Sequence, residues 1–156
     1  MTQSPPPALH TRLPLIWAAL TAAHPMVLGV GFFLAHGQGV TPTWSLERLV
    51  PADGVGATAV VLAFLAAVVA VALPRFVSAS MPADTRTNAE RAVTPLILHM
   101  ALAEAASLVG LVGAVFLTHP PVPERLLVPV CIGLVAALMG FPSSDRVKAW
   151  AGRAQG

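Results

Sequence analysis

The chain has 156 residues, 56% of them hydrophobic and only 10% charged, with a formal net charge of +2. Soluble domains carry roughly a quarter charged residues, so a water-soluble fold of this size could not hide so much apolar surface, and a lipid bilayer is the solvent that suits it. The small net charge reflects scarcity of ionisable groups rather than a basic face, which removes nucleic acid from the expected partners.

Residues 1–12 are polar and hold Pro5-Pro6-Pro7, which reads as an extended, poorly ordered tail. A first apolar span covers 13–35, interrupted at its middle by His24-Pro25. Pro25 has no N–H, so the carbonyl of Thr21 loses its helical partner and a kink is expected there. The span is too long for a signal-peptide core and ends without a small-x-small cleavage pattern, so it reads as retained. Residues 36–54 form a Gly/Pro-containing loop with Trp44, Glu47, Arg48 and Asp53.

A second span, 55–73, is mostly Ala, Val and Leu, and Pro74-Arg75 closes it. A polar loop over 75–92 leads to the third span, 93–118, which carries Glu104. His119-Pro120-Pro121-Val122-Pro123 makes a tight connection to a fourth span, 126–141, which is short unless Glu124-Arg125 lies at the interface. Over 143–156 a short tail follows, in which Pro142-Ser143-Ser144-Asp145 is suited to cap an interfacial helix with Val147 and Trp150 at the headgroups. The lone Cys131 sits in an apolar run and reads as a small packed hydrophobe.

Orientation follows from the basic residues. Arg12, Arg75, Arg86, Arg91, Arg146, Lys148 and Arg153 fall on one side of the spans, Arg48 and Arg125 alone on the other. The positive-inside rule then places both termini in the cytoplasm of a multi-pass cell-membrane protein. Sliding the chain until Ala19 meets Ala101 also sets Leu20, Ala23, Val27, Val30 and Gly31 on Leu102, Ala105, Val109, Val112 and Gly113. That pattern fits either a duplicated hairpin or chance among residues common to all such helices.

Glu104 is the one acid deep within a span. A charged carboxylate at mid-bilayer costs about 2.5–3.5 kcal/mol or more, so such a residue is a functional-site candidate by default. Ile97, Met100, Ser107 and Leu111 share its helical face, while Ala106, Gly110 and Ala114 form a small-residue stripe opposite, suited to close helix packing. Glu104 needs a partner: Ser107 one turn on, a backbone carbonyl, or a group on another helix. It either binds a proton or cation, or, protonated, ties two helices together.

His24 is a candidate partner. The internal alignment puts it about 3 Å deeper than Glu104, a depth that suits a pair, but about 200° away in azimuth, which does not. His24 and His99 differ in aligned depth by about 10 Å, a poor match for two axial ligands of a haem. His36 and His119 lie just outside span ends, where histidines are ordinarily solvated. No nucleophile elbow, P-loop, HExxH or dinucleotide motif is present. No enzyme activity, metal or cofactor is therefore expected.

Ala103-Glu104-Ala105 followed by Leu108-Val109-Gly110-Leu111-Val112 resembles the carboxylate-bearing helix of rotary ATPase proteolipids, the c-type ring subunits. The resemblance implies that Glu104 carries a proton or sodium ion in a ring of copies. It spans about twenty residues, and the chain departs from the family pattern at three points. Glu104 is on the first helix of its hairpin, 55–73 lacks a glycine ladder, and the hairpin loops fall on the sparsely basic side.

The expected fold is therefore all-α: a polytopic membrane protein of four transmembrane helices arranged as two tandem hairpins. The expected role is a small non-enzymatic subunit whose Glu104, with Ser107, binds a proton or cation or a partner helix. Its partners would be the lipid bilayer and a homo-oligomer or larger membrane complex. The alternatives are a proton- or sodium-translocating oligomer and a haem or quinone redox subunit.

Overall fold

The computed structural model describes residues 7–49, 53–80 and 88–152. The expected tail over 1–6, the loop residues 81–87 with Asp84 and Arg86, and Arg153 lie outside them. The described residues are mostly helical, with no strand among them. In order come α1 (Pro7–Thr21), α2 (Ala23–Gly37), a short α3 (Leu46–Leu49), α4 (Gly54–Ser80), α5 (Asn88–Leu111), α6 (Leu127–Met139) and α7 (Ser144–Gly152). A π-helical turn, Val112–Phe116, extends α5, and a 3₁₀ turn, Pro123–Leu126, leads into α6.

Three stretches are long and apolar enough to cross a membrane: Arg12–Gly37, Gly54–Ser78 and Arg91–Phe116. Large side chains stand exposed around them, among them Met26, Phe33, Phe64 and Phe76, an outer surface that water would not tolerate. The fourth stretch is shorter. Pro123–Met139 is followed, after a bend of 83°, by Ser144–Trp150, and α6 itself has only 13 residues.

Helix α5 is the axis of the bundle. Of its most apolar window 44% is buried, against 17% and 22% for the other two long spans. It packs most extensively on α4, then on α6, while α1 and α2 lie on α5 and α6 and scarcely touch α4. The first two spans are therefore not a closed hairpin. Tandem hairpins would make the α2–α4 contact mirror α5–α6, and it does not. The small-residue stripe explains why α5 and α6 come so close: Ala106, Gly110 and Ala114 are all buried. A Cβ added to Gly110 would lie 2.5 Å from Pro129 Cβ.

Proline shapes the helices without always ending them. Pro74 does not close α4, which continues to Ser80. The missing Pro74 N–H removes one hydrogen bond from α4 without ending it. On the neighbouring α5, His99 Nε2 donates to the Ala136 carbonyl at 2.7 Å. That carbonyl is available because α6 ends there, with the Gly140 N–H turning to Ala137 O at 2.9 Å. Trp17 Nε1 reaches Ala137 O at 2.8 Å, so two side chains from other helices satisfy the last carbonyls of α6.

Two expectations about the chain ends change. Helix α1 starts at Pro7, so residues 7–12 are helical rather than extended. Val147 and Trp150 do not rest at headgroups but pack into the core with Leu13, Leu96 and Met100, 3% and 6% exposed. The bend after α6 folds α7 back across α4 and α5, which places its apolar face on the bundle.

Candidate functional site

Glu104 lies at the midpoint of the Arg91–Phe116 span, about 20 Å from its start at 1.5 Å per residue. The burial pattern along α5 sets its direction. Ile97, Ala101, Leu108 and Val112 are exposed, whereas Leu96, Met100, Ala103 and Ser107 are buried. Glu104 sits half-buried on the exposed stripe, beside its boundary with the core. The face expected for it is thus split: Met100 and Ser107 turn inward, and Ile97 turns out.

Ser107, with 0% of its surface exposed, faces α6 rather than Glu104. A Cβ added to Gly133 would lie 2.6 Å from Ala103 O, 2.8 Å from Ser107 Oγ and 3.0 Å from His24 Cδ2. Three helices therefore meet at Gly133 with two polar side chains. His24, also 0% exposed, is anchored by the proline beside it. Pro25 leaves the Thr21 carbonyl without its helical N–H, and His24 Nδ1 approaches that oxygen at 3.2 Å. A carbonyl only accepts, so Nδ1 is the donor in this bond. The helix is interrupted just before this point, at Ala22.

The structure thus brings His24 and Ser107 together, and neither with Glu104. Among the described residues, Glu104 has no hydrogen-bond or ion-pair partner, and His24 Nε2 and Ser107 Oγ are buried without one. His99 Nε2, for its part, is committed to Ala136 O.

At the end of the bundle opposite α7 lies a charged cluster not expected from the sequence. Among the described residues Glu124, not Glu104, is the fully buried acid, at 0% exposure. Its Oε1 accepts from the Thr43 backbone N–H at 2.6 Å and stands 3.5 Å from Arg48. Asp53 caps α4 by accepting the Gly56 N–H at 2.8 Å, and pairs with Arg125. The Gly56 N–H and then the Arg125 guanidinium hold the Asp53 carboxyl below its usual 3.8. The sequence carries one signal for this cluster: Arg48 and Arg125 are the only Lys or Arg residues on that side, with Asp53 and Glu124 close in sequence to them.

Compared with known protein families, curated proteins and solved structures, the chain finds no match.

Proposed function

We propose that this chain is a small, non-enzymatic integral membrane subunit with four spans and both termini in the cytoplasm. Its Glu104 engages a proton, a cation or a helix of another subunit from the outer face of the bundle. The observation that carries this reading is the position of Glu104. It sits at mid-span on the exposed stripe of α5, with no partner among the described residues of its own chain. In hydrocarbon such a carboxyl is either protonated or satisfied by a neighbouring molecule.

The same outward position supports, as a second reading, an oligomer that carries protons or sodium ions past Glu104, as in the proteolipid rings the sequence resembles. The redox reading has less behind it, because His99 Nε2 is committed to the Ala136 carbonyl of another helix.

The test is the carboxyl infrared band of the lipid-reconstituted protein, titrated with pH and assigned by Glu104→Gln. A band that titrates between about pH 6 and 9 supports a proton site working near neutrality. A band that stays protonated throughout supports a hydrogen bond to a partner helix. Titration near about 4.3, the value of an exposed glutamate, would put Glu104 in water and overturn the reading.

A further inference from the structure

A groove of about 890 Å³ runs between α4 and α5. Its walls are apolar, with Val55, Leu62, Leu108 and Val112 half open to the side. From Asp53 to Leu62 it extends about 13 Å along α4 at 1.5 Å per residue. One leaflet of a bilayer has about 15 Å of hydrocarbon, so the groove is nearly as deep as one leaflet.

At its outer end the groove changes character. Asp53, Val55 and Leu117 line both it and a second cavity of about 530 Å³, whose wall also carries Arg48, Arg125 and His119. Asp53 is the only acid in that wall, and Arg125 and the Gly56 N–H occupy its oxygens. Arg48 keeps 45% of its side chain exposed and touches Glu124 through a single contact of 3.5 Å. Most of its donors therefore remain for a ligand.

An apolar slot of leaflet depth that opens into a pocket of guanidinium and imidazole donors matches one chemical class, an acyl chain ending in a phosphate. We infer that this groove and pocket hold a single phospholipid, its chain along α4 and α5 and its phosphate at Arg48 and His119. The inference takes the membrane reading as given and does not depend on the role of Glu104.

Native mass spectrometry of the full chain tests it, with phosphatidylglycerol, the matching diacylglycerol, glycerol 3-phosphate and a prenyl quinone as probes. One phosphatidylglycerol per chain should be retained, and diacylglycerol held more weakly. An arginine near the headgroups contributes about 1 kcal/mol toward an anionic lipid, so Arg48→Gln should weaken phosphatidylglycerol about fivefold and leave diacylglycerol unchanged. Leu62→Trp, which fills the slot, should weaken both.

Because Arg48 also neighbours the buried Glu124, His119→Ala, an exposed change, serves as the second headgroup variant, with the same selective loss expected. Equal retention of phosphatidylglycerol and diacylglycerol, unmoved by either headgroup variant, would overturn the inference. So would binding of glycerol 3-phosphate as tight as the lipid, or displacement of phosphatidylglycerol by the quinone. Failure of the protein to float with vesicles would instead strike the membrane reading itself.

Discussion

Adding one methyl group at Gly133 tests the packing of the bundle at its most crowded point. The new Cβ would lie 2.6 Å from the Ala103 carbonyl oxygen, 2.8 Å from Ser107 Oγ and 3.0 Å from His24 Cδ2. The first is a backbone atom and cannot rotate away, and both side chains are fully buried. Overpacking of this kind costs about 1–3 kcal/mol. Gly→Ala in a helix returns about 0.8–1.0 kcal/mol of propensity, so the net loss in Gly133→Ala is as much as about 2 kcal/mol.

Gly29→Ala is the control, since nothing lies within 4 Å of its added Cβ. It should gain the propensity term alone. The difference between the two variants, in which propensity cancels, is the packing cost of about 1–3 kcal/mol. Reversible unfolding in mixed micelles, followed by helical circular dichroism, reads that difference. Equal stability of the two variants would refute the convergence of α2, α5 and α6 at Gly133.

Three further outcomes are expected. His99→Phe should destabilise the bundle by about 1–3 kcal/mol, because the Ala136 carbonyl is left without its donor; micelle unfolding unchanged from wild type would show that the carbonyl has another partner. Glu124→Ala should cost a similar amount, about 1–3 kcal/mol, by orphaning the Thr43 N–H, whereas Glu124→Gln keeps an acceptor there and should cost less; the reverse order would contradict the Thr43 bond. Asp53 has a folded pKa below its usual 3.8, so its contribution is complete above the unfolded value and is lost as pH falls through the folded one. Wild type should therefore lose more thermal stability than Asp53→Asn between about pH 5 and about pH 3, and parallel losses would argue against the Arg125 pairing.

Much of the fold was legible in the residues. Long apolar runs with almost no charge pointed to helices, which the described residues form, and Ala106, Gly110 and Ala114 marked the close packing of α5. Their boundaries were less legible. Pro74 looked like a stop, but a proline within a helix removes a single hydrogen bond, and α4 continues through it to Ser80. Val147 and Trp150 looked interfacial, since an amphipathic helix has the same pattern whether its apolar face meets headgroups or a bundle.

The sequence by itself determined the all-helical class and singled out Glu104 as the acid within a span, because burial of charge in hydrocarbon is so costly that one carboxyl stands out. Only the tertiary structure decided which way that carboxyl faces, that Ser107 and His24 meet at Gly133 instead, and that Glu124 is the acid sealed from solvent. Facing direction depends on which neighbours a central helix acquires. Between apolar helices of near-uniform Ala, Val and Leu, helical periodicity carries too little contrast to specify those neighbours.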